Sequence, residues 1–353
     1  MAVALPPSTT APPGSSIPRW LGQSDFYEHA RLAKGRFSGE FLRVEDESFA
    51  RYIPDETPDP EINVVGVSLG DRRVQGRSTG ELALKVFVRR KFPLSVIPEE
   101  YRLPPAFDGV RIDVEQIGLI RTLEAESNDF MPNPMAPAEK ISPGMSIGAC
   151  SCEMNLTGTL GVIVKDRKGV PHILSSDHIL RPACDHPSGP FIFAPSVRDA
   201  GNREPSAEFR VGISSHSGLV SQVDAAIAAI LVDFDPGVLY VGGPAAVVPA
   251  EAGMLVHKFG RTTRYTRGLV LEAEGDVKVY SRRLGTNIKY QNQIVIEWFQ
   301  GTPFSEGGDS GSLVLRTKTN EAVGLLFSGA DGYSFANHAW RVMDELEVDM
   351  VPS

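Results

Sequence analysis

The run GGDSGSLVL at residues 307–315 constrains this chain more than any other stretch. Glycines on both sides of Ser310 permit a sharp turn with backbone N–H groups converging beside the hydroxyl, and the apolar residues after it read as a strand. A serine displayed in that way is an exposed nucleophile suited to hydrolysis by acyl transfer. It needs a base to take its proton as it attacks, and a third group to orient that base.

Both lie upstream. His178 ends the apolar and hydroxyl-rich run HILSSDH, and Asp224 stands at the mouth of the apolar segment AAIAAILV. Their separations are long, so the fold must bring the three together from different strands or loops. The order His, Asp, Ser is that of the chymotrypsin-type arrangement, not the Ser-first order of α/β-hydrolases or the Asp-first order of subtilisins. In this reading Ser310 is the nucleophile, His178 Nε2 the general base and then acid, and Asp224 the carboxylate that fixes the imidazole tautomer while staying ionised.

Gly308-Asp309-Ser310-Gly311 resembles the active-site sequence of trypsin-like serine proteases, and Ser175-Ser176-Asp177-His178 resembles the segment that carries their catalytic histidine. The chain departs from the usual pattern in lacking alanine or asparagine before the histidine and in placing Ser312 where a further glycine is common. The resemblance implies a serine endopeptidase acting on protein or peptide substrates, with the N–H groups of Gly308 and Ser310 as the oxyanion hole. It also implies that Phe327, Ser328 and Gly329 flank the primary specificity pocket, where an extended peptide pairs by strand addition. Residues 302–306 then line the other wall. Phe304, not an acid, stands six positions before Ser310, so a preference for Lys or Arg is not supported; an apolar or small side chain is expected. Asp309 lacks an evident processed N-terminus to pair with, which leaves a nearby Arg, a backbone N–H or assembly to satisfy it.

The implied fold is all-β: two six-stranded antiparallel β-barrels of chymotrypsin type with a C-terminal helix, preceded by a small α+β domain. Residues 156–164 read as a glycine-punctuated strand, then a turn at 165–169 and a second strand leading to His178, a hairpin expected to open the first barrel. Lys258-Phe259-Gly260-Arg261-Thr262-Thr263, followed by Thr266-Arg267-Gly268, resembles the opening of the second barrel in bacterial relatives. Residues 311–316 and 322–328 read as two strands joined by a polar turn. Trp340, Val342, Met343 and Leu346 share one face of a terminal helix.

At 353 residues the chain holds a two-barrel unit of about 200 residues and a smaller module. The expected organisation is a tail at 1–20, a short helix (25–32) and linker within 21–60, a regulatory or assembly module at 61–124, a linker at 125–142 and the protease domain at 143–350. Module strands are expected at 63–69, 82–89 and 110–117, with a loop or short helix at 93–105. The phrases ALKVFVRRK and DGVRIDVEQIG ahead of a trypsin-like unit resemble a group of bacterial trypsin-like proteins with an N-terminal small domain and, more distantly, the plant narrow-leaf proteins. The module carries no nucleophile-base set, so its expected role is to bind a regulatory partner, to restrain the active site or to mediate homo-oligomer assembly.

A formal charge of −9 disfavours nucleic acid as a partner. No apolar run approaches the roughly 18 residues a membrane span needs, and the Pro- and Ser-rich N-terminus does not read as a secretory signal. Three cysteines suit a cytoplasmic location better than a disulfide framework. Cys150, Cys152, Cys184 and His186 do not match a standard zinc spacing, and neither a metal nor a cofactor is expected. His172, His216 and His338 read as structural or surface-exposed, not catalytic. There is no P-loop, and Ser312 spoils the G-x-S-x-G of an esterase elbow. The competing reading is a latent or inactive protease-fold scaffold that binds peptides without cutting them.

Overall fold

The computed structural model describes residues 24–42, 58–74, 77–118, 120–122, 140–150, 156–181, 190–201, 206–217, 223–281, 284–299 and 302–352. The expected tail, most of both linkers, Cys152, Cys184 and His186 lie outside the described residues.

The chain enters through helix α1 (Ser24–Phe41) and a single turn, α2 (Pro60–Asn63), whose start is capped by the Asp59 carboxylate. α1 is longer than the expected helix because Phe37 and Phe41 extend its apolar face beyond residue 32. Strands β1 (Val64–Val74) and β2 (Arg77–Val88) form a hairpin. After two short 3₁₀ turns come β3 (Ala106–Phe107) and β4 (Val110–Gln116), with β4 parallel to β2. Ala30, Ala33 and Phe37 of α1 bury against Val67, Leu69, Leu84 and Val86, giving this small α+β unit its own core. A two-residue strand, β5 (Arg121–Thr122), follows.

The first barrel is built from β6 (Ser146–Ala149), β7 (Gly158–Thr159), β8 (Val162–Asp166), β9 (Pro171–Ser175), β10 (Phe191–Phe193), β11 (Arg210–Ser217) and β12 (Ala226–Ile230). Its antiparallel order runs β8-β9-β12-β11-β10-β6. Leu160 N to Met145 O at 2.9 Å and Gly144 N to Leu160 O at 2.7 Å close β6 back onto the approach to β8. The expected hairpin is present as β8–β9, but β6 precedes it and opens the barrel. Ser146, Ile147, Gly148 and Ala149 are all buried, so β6 has no alternating pattern to betray it. The single strand expected at 156–164 is two, broken at Leu160 and Gly161, where Leu160 turns its backbone bonds to Met145 and Gly144 and the Gly311 carbonyl comes so close to Gly161 that no side chain would fit.

The second barrel comprises β13 (Leu255–Gly260), β14 (Arg264–Ser281), β15 (Thr286–Trp298), β16 (Leu313–Arg316), β17 (Ala322–Ala330) and β18 (Tyr333–His338). The order β13-β16-β17-β18-β15-β14 closes through β13–β14. The far half of β14 outruns the barrel and pairs with β1, Gly66 opposite Val277 and Val67 opposite Asp276, so the N-terminal strands continue the same sheet. At Gly66 a Cβ would stand 3.2 Å from the Asp276 carbonyl, a spacing that keeps this seam tight.

Helix α4 (Ala339–Leu346) lies at the junction of the barrels, and β19 (Val348–Met350) then pairs with β8. Val342, Met343 and Leu346 of α4 share one buried cluster with Val162 and Leu174 of the first barrel and Leu313 and Leu325 of the second. Trp340 is 49% exposed and leaves the expected apolar face, where Ala339 takes its place.

Candidate active site

His178 sits in the single turn α3 (Asp177–Leu180) at the end of β9. The two serines before it tie that turn to both barrels: Ser175 Oγ donates to Thr159 O at 2.7 Å, and Ser176 Oγ donates to Leu326 O at 3.1 Å. Asp224, just ahead of β12, holds the histidine twice. Its Oδ2 is 2.7 Å from His178 Nδ1, and its Oδ1 accepts the His178 backbone N–H at 3.2 Å. The histidine is 5% exposed and the aspartate 2%, so the pair interacts where water screens it little.

Sequence reasoning missed Asn337. From β18 its Oδ1 accepts the Asp224 backbone N–H at 3.1 Å, and its Nδ2 donates to Asp224 O at 3.3 Å. It is fully buried in a strand, YSFANH, that also buries Ser334 and His338, so no sequence signal singled it out.

Ser310 is brought beside β17. Gly311 N donates to Leu326 O at 2.7 Å and Leu326 N to Ser312 O at 3.0 Å, so the two residues that follow the serine are laced to the strand. Gly308 (φ +99°) and Gly311 (φ +90°) take left-handed backbone, and a side chain at Gly311 would collide with Ser175 Oγ and Thr159 O. The hydroxyl expected to be exposed is wholly buried, and it donates to the Phe327 carbonyl at 3.3 Å.

Two further hydroxyls pin the peptides of this turn. Thr262 Oγ1 donates to Gly307 O and Ser312 Oγ to Asp309 O, each at 2.6 Å. A trans peptide points its N–H opposite to its C=O, so these two bonds fix the directions of the Gly308 and Ser310 N–H groups. Thr159 holds the other face, accepting nothing from the turn but donating from Oγ1 to Gly308 O at 2.9 Å and from N to Ser310 O at 2.8 Å.

Asp309 turns inward and is fully satisfied. It accepts from Thr262 N at 2.9 Å, Glu306 N at 3.0 Å and Thr263 Oγ1 at 2.7 Å, and it pairs with Lys258 Nζ at 3.4 Å. Of the expected partners, backbone N–H groups are present, and the cation is this lysine in place of an Arg. Burial pushes the Lys258 ammonium below the usual lysine range, and the Asp309 charge opposes that fall. The neighbouring Arg261 goes elsewhere, to the Asp199 carboxylate at 2.8 Å.

The expected pocket residues divide. Phe327 is buried against Tyr290, ring centroids 4.9 Å apart, in one cluster, while Phe304 belongs to another with Val270 and Ile296. Ser328 and Gly329 lie on β17 opposite Thr122 and Arg121 of β5. His172 and His338 engage backbone carbonyls, Val170 O at 2.8 Å and Ala273 O at 2.7 Å. Cys150 is a buried free thiol, and burial raises its pKa. Among the described residues no group of His, Cys, Asp or Glu side chains is placed to hold a metal ion.

No protein-family model and no curated protein matches this sequence. Solved structures do. A glutamic-acid-specific serine protease, described as using a histidine triad in substrate binding, is 18% identical, with 60% of this chain and 100% of that one covered and a TM-score of 0.42. Thermobifida fusca protease A is 16% identical over 60% and 100% (TM-score 0.43), and Cellulomonas bogoriensis chymotrypsin 17% over 61% and 100% (TM-score 0.40). By the strand order and closure of its own two barrels, this chain carries the chymotrypsin-type double-barrel fold of the trypsin-like serine proteases.

Proposed function

We propose that this protein is a serine endopeptidase whose triad is Ser310, His178 and Asp224. The observation that carries this reading is the buried 2.7 Å pair of His178 Nδ1 and Asp224 Oδ2, which leaves Nε2 as the nitrogen for proton transfer. Ser310 Oγ attacks the scissile carbonyl while Nε2 takes its proton. The carbonyl oxygen becomes an oxyanion, received by the N–H groups of Gly308 and Ser310, whose directions the Thr262 and Ser312 hydroxyls hold. The tetrahedral intermediate collapses as the imidazolium protonates the leaving amine, giving an acyl-enzyme. Water, deprotonated by the same nitrogen, attacks the ester, and the proton returns to Ser310 as the acid leaves.

A proteome-derived peptide library read by mass spectrometry tests this. New termini are expected with the unmodified chain and none with Ser310→Ala; equal cleavage by both overturns the assignment. A second reading, a latent peptidase, is favoured by one observation: the Ser310 hydroxyl is buried and engaged by Phe327 O.

A further inference from the structure

β5 occupies an unusual place. Its two residues lie between β14 and β17, Arg121 parallel to Tyr280 on one side and antiparallel to Gly329 on the other, with Thr122 opposite Ser328. Tyr280 N donates to Ile120 O at 3.1 Å, and Ile117 and Ile120 are buried in the same cluster as Phe327, Tyr290 and Tyr333. The chain is therefore anchored immediately before β5. The residue of β17 that precedes Ser328 is Phe327, whose carbonyl takes the Ser310 hydroxyl. A strand on Ser328 and Gly329 thus lies one residue from the nucleophile's own contact.

We infer that Arg121–Thr122 is the resident occupant of the β17 edge at Ser328 and Gly329, where the peptidase reading seats an extended substrate, and that an incoming peptide must displace it. This rests on the proposed peptidase reading and assigns that site a built-in competitor. A two-residue strand holds weakly by itself, since most of the stability of a sheet comes from longer runs of pairs. Tethering compensates: an attached segment competes at an effective concentration on the order of millimolar. The buried Ile117 and Ile120 keep that tether short. The arrangement suppresses encounters with dilute peptides and yields to concentrated or well-matched ones.

The test uses the full chain carrying Ser310→Ala, so that no peptide is cut and binding is read apart from chemistry. A fluorescent synthetic peptide of residues 117–126 is titrated into that chain, into Arg121→Pro/Thr122→Pro, which removes the two N–H groups of β5, and into Arg121→Ala/Thr122→Ala, which keeps them. The proline variant is expected to bind at least about 10-fold more tightly than the parent, the alanine variant within about 2-fold of it. Equal affinity in all three, or no binding to any, overturns the inference. Should the proline variant not fold, amide exchange in the parent decides: several millimolar peptide must accelerate exchange at residues 121 and 122, and unchanged exchange there overturns it. Failure of the peptidase reading shows itself separately, as peptide binding without a reactive Ser310 in the unmodified chain.

Discussion

Lys258 of β13 and Asp309, the residue directly before Ser310, form an ion pair, 3.4 Å from Nζ to Oδ2, in which neither side chain reaches solvent. Removing one member leaves a buried charge uncompensated, at a cost of about 3–5 kcal/mol, whereas replacing both is often close to neutral. Lys258→Met is therefore expected to lower stability by about that amount in urea unfolding, and Lys258→Met/Asp309→Asn to recover most of it. Equal losses in the single and double variants would show that the pair is not the source.

The hydroxyls of Thr262 and Ser312 are expected to act through the peptides they hold. Thr262→Val and Ser312→Ala should each reduce kcat by about 10- to 100-fold with KM little changed, less than the roughly 100- to 1,000-fold cost of deleting an oxyanion donor outright. Thr262→Ser, which keeps the hydroxyl, should restore most of the rate. A loss confined to KM would contradict this role.

Asn337 supports Asp224 from behind. Asn337→Ala removes the acceptor of the Asp224 N–H in a buried site, and a loss of about 1–3 kcal/mol in unfolding free energy is expected. Slower reaction at Ser310 should accompany it. Unchanged stability would mean that the Asp224 backbone finds another partner.

Lys278 predicts a pH dependence at the seam between β14 and the N-terminal unit. Burial, with Arg89 and Lys289 adding to it and Glu61 and Asp59 opposing, lowers its pKa from the ordinary 10.5 to about 8. The unfolded chain therefore holds this proton more tightly. Its charged form penalises folding fully below pH 8, and the penalty fades as pH rises toward 10.5. Lys278→Met should be more stable than the parent near pH 7, by roughly 1–3 kcal/mol once the lost bond to Glu61 O is set against the relieved charge. That advantage should shrink at pH 10, and a gap that does not change with pH would contradict the assignment.

The strands around Ser310 were legible in the sequence because β16, β17 and the β8–β9 hairpin alternate or end at polar turns. His178, Asp224 and Ser310 were legible by residue type and order. What escaped is non-local. β6 is buried on both faces and so carries no period; β5 is only two residues long; and the pairing of β1 with β14 joins segments some 200 positions apart. Lys258 lies in a strand where His257 and Phe259 are also buried, so nothing local marks its ammonium as the partner of Asp309. The burial of Ser310 follows from the lacing of its turn to Leu326, a contact that no glycine-rich motif encodes alone.

The central claim is that His178, oriented by Asp224, activates Ser310. The most direct measurement is site-resolved mass spectrometry after treatment with a fluorophosphonate probe, comparing the unmodified chain with His178→Ala. An adduct on Ser310 in the unmodified chain, lost or strongly slowed in the variant, is the predicted result. Folded protein without an adduct, or equal labelling of both forms, contradicts it.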